Sequence, residues 1–445
     1  MILVIYSSNA NDKKRIKLKK MYIERKDDMK QKNVKKWKVI AISALAALAL
    51  TGCGTGTSSE AGTTSTSNLA TSSSSSSSTA TTSTTASTVT TLNAMLDTTD
   101  MFSTRDLEQT ADLTDAKYIT LVSGQDVTIT EKGVYVLSGN VQDVTVIVAA
   151  AQDAKVQLVL NGVTITNEDA PAIYVKTADK VFITTTDTDN TMKVSGAFVA
   201  DGDTNLDAVI FSKADLILNG KGTLNIISTQ GNGITTKDDL GITGGTYNVT
   251  SKLDGFEAND SIRVYDGVIT VTSNKDAFHS ENEDDLSVGY IYIQGGTFTI
   301  SAAEDGIQGT SVIQIDGGDI TITKCLEGIE ATYIQINDGT IKINSSDDGI
   351  NASDKSSYYD VIVEINGGNI TIVMASGDTD AVDANGSIYV NGGTMNITAA
   401  TSSFDFDVEG KLNGGTVTVN GTVLTEIVES MMGPGGSAGG KAGWR

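Results

Sequence analysis

From about residue 214 onward, aliphatic and polar positions alternate in short runs that stop at glycine and begin again. Each unit reads the same way: an alternating strand, a Gly-Gly or Asp-Gly turn, a second alternating strand, then a short DGIxA-like element. The second glycine of the turn falls at Gly222, Gly245, Gly267, Gly296, Gly318, Gly339, Gly368, Gly393 and Gly415, a spacing of about 21 to 29 residues. Three short strands and three turns in about 22 residues make one coil of a parallel β-helix. Successive side chains on a strand face opposite ways. Before the turn this sends Ile262/Val264, Ile291/Ile293, Ile313/Ile315, Ile334/Ile336, Val363/Ile365 and Ile388/Val390 inward. After the turn it does the same for Phe298/Ile300, Ile320/Ile322, Ile341/Ile343, Ile370/Ile372 and Met395/Ile397. Stacked coils bury these as one continuous column, which a single unit could not do. The predicted fold is all-β, a right-handed parallel β-helix solenoid with three short strands per coil.

The longest intervals mark insertions at residues 280–289 and 353–360, predicted to project as loops from one side. Residues 115–213 keep the alternation with an irregular period and are read as the first coils and cap of the solenoid, with residues 214–425 as its regular part and 430 as its limit. Residues 431–445 are glycine-rich and expected to be disordered.

The solenoid resembles the clostridial-type carbohydrate-binding right-handed β-helix proteins, similar in fold to calcium-dependent pectate lyases. The resemblance rests on GVYVLSG from Gly133, LVLNGVTITN from Leu158, APAIYV from Ala170 and the GG…DGI ladder, and it covers residues 115–425. It implies a surface polysaccharide binder with calcium sites.

Composition changes the picture at the N-terminal end. Residues 1–28 read as a mis-assigned start, because Met29 is followed by Lys30, Lys32, Lys35, Lys36 and Lys38 and then by an apolar run at 39–50. That run is too short for a bilayer span and ends in Leu50-Thr51-Gly52-Cys53, which resembles a lipobox, with the Cys53 thiol as the lipid anchor. Residues 54–114 begin as an almost pure Ser/Thr/Gly/Ala tract and are expected to be a disordered tether. The chain is then a monomer held at the cell surface, on the outer face of a bacterial membrane, through its lipid alone. The net charge of −23 becomes roughly −32 once residues 1–53 are removed, a surface that repels nucleic acid. Cys325 is then the only cysteine, so no intrachain disulfide forms, and it is read as a buried structural thiol.

One acid recurs at the start of the third element of each coil: Asp254, Asp276, Asp305, Glu327, Asp348, Asp380 and, in the last coil, Asp405. Coils stack about 4.8 Å apart, so these acids are predicted to form a column whose charges repel unless counter-ions intervene. Calcium takes six to eight oxygens at about 2.3 to 2.6 Å and fits between two coils. Further oxygens lie close by at Glu257, Asn259, Glu330, Asn351 and Asp383, and at Glu281, Glu283, Asp284 and Asp285 in the first insertion. The oxygen-rich, histidine-poor donor set favours several calcium ions over zinc or copper, with the sole histidine, His279, expected to be solvated. The competing reading is that each acid only caps a turn.

For polysaccharide binding, the outward positions of the first strand, Arg263, Tyr292, Gln314, Gln335, Glu364 and Tyr389, offer a row suited to sugar hydroxyls and CH faces, flanked by Tyr290 and Tyr333, with Tyr358 and Tyr359 in the second insertion. Cross-strand packing would explain the same tyrosines. A calcium-dependent pectate lyase is the alternative, with Lys252, Lys275 or Lys324 as the base beside the column; a surface adhesin or structural spacer is the other. The favoured glycan is an acidic plant cell-wall polymer such as polygalacturonate, or cellulose, bound and not cleaved.

Overall fold

The computed structural model describes residues 96–377 and 379–428. The leader, Cys53, the tether as far as residue 95 and the tail from 431 therefore lie outside the described residues. All regular structure among the described residues is β.

From the strand Ile173–Thr177 to the coil that ends at Val419, each strand pairs in parallel with the strand three further along the chain. Ile262 faces Ile291, which faces Ile313, then Ile334, Val363 and Ile388. The second strands form their own ladder through Phe298, Ile320, Ile341, Ile370 and Met395. Two sheets result, of 24 and 12 strands, because every unit contributes two strands to one and one to the other. The long strands Gly133–Gln142 and Lys155–Asn167 run through both ladders of the larger sheet and join them. The fold is a solenoid-like stack of parallel strands, closed at its C-terminal end by the antiparallel pair Thr416–Val419 and Thr422–Val423.

The inward positions form one contiguous core, each at most 2% exposed. Aromatic residues stack along it as the coils do: the Phe256 and Phe278 rings are 4.9 Å apart and nearly parallel. Cys325 lies in this core at the end of the strand Asp319–Cys325, where burial pushes its thiol up to about 12. The turn glycines take positive φ, as at Gly339 (115°), where a side chain would be strained. Gly222 is the exception: positive φ falls instead on Gly220, and a Cβ at Gly222 would meet the Thr186 carbonyl oxygen.

Residues 96–109, which the sequence assigns to the tether, lie instead across the first-strand ladder. The Leu96 amide donates to Gln314 Oε1 (2.8 Å) and Arg263 donates to the Met101 carbonyl (3.1 Å). The Phe102 ring packs edge-on against Tyr265 and tilted against Tyr292. Arg105 covers the Phe182 ring, Asp106 is buried beside Lys180, and Gln109 donates to the Thr243 carbonyl (2.9 Å). This strap binds the outside of the stack to residues far away in sequence.

Candidate functional site

The third strands are only three residues long: Phe256–Ala258, Phe278–Ser280, Ile307–Gly309, Ile329–Ala331, Ile350–Ala352, Val382–Ala384 and Phe404–Phe406. Their outer residues point into the core and the middle one points away. Register therefore aligns Glu257, His279, Gln308, Glu330, Asn351, Asp383 and Asp405 in one outward row. Two residues ahead of each strand sits the acid column Asp254, Asp276, Asp305, Glu327, Asp348 and Asp380. Asp405 is not part of it: it pairs with Asp383 in the outward row, and Ser402 takes the column position in that coil.

The column acids do more than face one another. In four of the six, one oxygen accepts the backbone N–H of the next: Asp254 from Asp276 (3.0 Å), Asp276 from Asp305 (2.8 Å), Asp305 from Glu327 (3.2 Å), and Asp348 from Asp380 (3.0 Å). Asn232 begins the series by accepting from Asp254 (2.8 Å). Capping therefore runs between coils and needs only an oxygen, because the amide of Asn232 does it without charge. Glu327, one carbon longer, turns aside and accepts from the Asn351 side chain (3.0 Å).

The negative charge is what capping leaves unexplained. Burial, then the neighbouring acids Asp276 and Glu330, push Asp305 up to about 7; burial, Glu330 and Asp305 push Glu327 up to about 8. Burial raises Asp276 and Asp348 to about 6 each. Asp383 reaches about 7 through burial and the charges of Asp348, Asp405 and Asp380. Asp254 goes the other way. Burial is again the largest influence, but His279 and Lys275 (3.3 Å) together outweigh it and hold Asp254 below the usual carboxylate range.

Two sets of ligating atoms converge on these rows, Asp254/Asp276/His279 and Asp305/Glu327/Glu330, each within 4.8 Å of one another. In the second, Gln308 donates to both Asp305 and Glu330 (2.8 Å each), and Lys355 contacts Glu330 (2.7 Å). Glu257 lies at the other end of the row, next to His279, accepting from Asn232 and paired with Lys237 (3.0 Å). The buried Asn351 carbonyl oxygen has no hydrogen-bond partner among the described residues. These oxygens fit a hard cation such as calcium in donor type. His279 departs from the expectation of a solvated residue: its side chain is only 14% exposed and lies against both column acids. A third set, Asp215/Asp238/Asp239, was missed in the sequence, although Asp215-Leu216 and Asp239-Leu240 open successive strands in register. Arg263 contacts Asp239 (3.0 Å) and Lys180 contacts Asp215 (3.6 Å), so cations of the chain already sit there.

The predicted glycan row fares differently. Tyr292, Gln314, Gln335 and Glu364 are at most 3% exposed. Arg263 is held between Asp239 and the strap, and Gln335 donates to Glu364 (2.7 Å). Their outward direction was legible, but the strap covers Arg263, Tyr292 and Gln314, and Glu364 is buried beneath Tyr333 and Gln335, which donate to it. Tyr333 is buried as well, donating to Glu364 (2.8 Å), and Tyr389 is half-buried, donating to Glu409 (2.8 Å). Tyr358 stays exposed and Tyr359 half-buried, their rings 5.0 Å apart. The two insertions meet: Ser356 donates to the Leu286 carbonyl (2.6 Å) and Tyr359 to that of Ser287 (3.1 Å). Lys252 and Lys324 are exposed.

A family profile described as "Carbohydrate-binding domain-containing protein" matches residues 123–381. A protein of that description from Acetivibrio thermocellus is 37% identical over 134 residues, 29% of this chain and 46% of the relative, so the match spans about half of that relative's length. A solved structure described as the polysaccharide lyase-like protein from C. thermocellum, a gadolinium derivative, is 30% identical and covers 50% of this chain and 96% of that one, with a TM-score of 0.46.

Proposed function

Since the chain belongs to the carbohydrate-binding domain family, we propose that it is a calcium-dependent polysaccharide-binding module that holds its ligand without cleaving it. The solenoid is read as a right-handed parallel β-helix with coils of about 22 residues, tethered to the cell surface through Cys53 and working as a monomer. The observation that carries the proposal is the pair of acid rows on the third strands, with Asp305, Glu327 and Asp383 pushed to about 7, 8 and 7 by burial and by neighbouring carboxylates of the two rows. Carboxylates that repel in this way are relieved by divalent ions, and an ion with coordination positions left over can bridge to the carboxylate of a uronate. The ligand surface is the outward third-strand row together with the corner where Tyr358 and Tyr359 stand, since Tyr292, Gln314, Gln335 and Glu364 of the first-strand row are buried. Acidic cell-wall glycan such as polygalacturonate suits this surface only with calcium present, and cellulose is the uncharged alternative.

The lyase reading needs a lysine that gives up its proton. Lys275, the lysine in contact with the column, is held the other way: burial lowers its pKa, but Asp254 and Asp276 outweigh that and raise it. Retention on insoluble pectin and cellulose, with calcium and with chelator, tests the proposal. Calcium-dependent retention with no unsaturated product supports it; retention indifferent to chelator ends the calcium part, and product formation ends the binder.

A further inference from the structure

The end of the acid column nearest the N-terminus differs in kind from the rest, because it contains the chain's sole histidine. His279 Nδ1 lies 3.7 Å from Asp254 Oδ2 and 3.8 Å from Asp276 Oδ2. Those separations exceed a hydrogen bond, so the buried Nδ1 meets the two carboxylates only as an ion pair: burial lowers the imidazole's pKa, but Asp254 and Asp276 outweigh it and raise it, and an ion would enter by replacing that proton. Two atoms bound at about 2.0 to 2.2 Å to one ion, at tetrahedral to trigonal angles, sit about 3.4 to 3.8 Å apart. The same imidazole presents Nε2 to Glu281 Oε2 at 3.5 Å, the arrangement in which a carboxylate orients a metal-bound histidine through its other nitrogen.

We propose that Asp254, Asp276 and His279 form a separate site for a borderline divalent ion of the zinc type, with Glu281 as the positioning residue behind the imidazole. Hard calcium takes oxygen, and a ring nitrogen that gives up its proton to become a ligand favours zinc or its neighbours. The site revises the calcium reading at this one rung and leaves it intact from Asp305 onward, where the donors are oxygen. Lys275 contacts the same Asp254 oxygen and is partly exposed, so it can move aside as an ion enters.

Because there is one histidine, the full chain purified without a histidine tag gives a single imidazole signal by NMR, and zinc added in excess calcium reads the site directly. One equivalent of zinc is expected to move that signal to a bound position with Nδ1 ligated. His279→Gln is expected to lose one zinc equivalent while keeping its calcium-dependent rise in melting temperature, and Glu281→Gln to weaken zinc by about tenfold or more. The proposal is overturned if zinc leaves the imidazole signal unmoved, or if calcium moves it equally and displaces zinc at matched concentration. The wild-type titration needs no variant to fold, and a lost zinc response beside an intact calcium response would separate this inference from the proposed function.

Discussion

Two faces of this solenoid start from the same pattern and end in opposite states. On the first-strand face, outward Tyr292, Gln314, Gln335 and Glu364 are sealed, and their polar atoms are satisfied by one another and by the strap. On the third-strand face the column acids Asp254, Asp276 and Asp305 are buried as well, but here acid crowds against acid, and burial together with neighbouring carboxylates pushes Asp305, Glu327 and Asp383 up. A buried polar row is stable when its hydrogen bonds are complete. A row of like charges is not, however well its backbone is capped. The first face is finished by the chain itself; the second, on the proposed function, is finished by a bound cation.

The sharpest way to break that comparison is to remove cations. Each ion held at about a hundred times its dissociation constant contributes about 2.7 kcal/mol, so chelation should lower the melting temperature by the largest margin of any treatment short of disrupting the core. The pH dependence carries the sign. Asp276, Asp305, Glu327, Asp348 and Asp383 have folded-state values above their unfolded ones. Their contribution is complete below about pH 4 and is lost as pH rises through about 6 to 8. In chelator, stability should therefore fall between pH 4 and 8, and calcium should flatten the fall. A chelated protein equally stable at both ends would remove the charge argument.

The second prediction works on the sealed face. Phe102→Ala should cost about 1 to 2 kcal/mol by taking the ring off Tyr265 and Tyr292, and should speed amide exchange along residues 96–109. Calcium response and glycan retention should not change. A loss of retention would return the first-strand row to the ligand surface.

The fold was legible because alternation and glycine spacing are local signals, and inward residues such as Ile291, Ile313 and Ile334 follow from them directly. The acid column was legible for the same reason as far as Asp380. It failed at the last coil, where Ser402 stands in the acid's place and Asp405, three residues later, imitates it. The sealing of Gln314 was not legible, since its cover comes from Leu96, 218 residues away, in a segment whose composition reads as tether. The position of His279 was obscured by its being a lone histidine; only strand register brings it against two acids.

A third test separates the oxygen of the column from its charge. Asn232→Ala should cost about 1 kcal/mol, because the Asp254 amide loses its acceptor. Asp305→Asn with Asp348→Asn keeps both caps and removes two charges. In chelator the double variant should match or exceed the wild type in melting temperature, and in calcium it should gain less. An unchanged calcium increment would end the ion-holding role at those positions.

The smallest effect on stability, and the most specific one, should come from Tyr358→Ala. The ring is about half exposed, at 51%, and its partner Tyr359 is anchored independently through Ser287, so little buried area is lost and the unfolding free energy should stay within about 0.5 kcal/mol of wild type. Beyond its edge contact with Tyr359, the ring at the corner where two insertions meet has its surface turned to solvent, where a sugar CH face would stack on it. Retention on glycan in calcium should weaken by about tenfold, the equivalent of about 1.4 kcal/mol for one lost aromatic contact, with the calcium-dependent stabilisation unaltered. Unchanged retention would move the ligand surface off this corner and onto the acid rows alone.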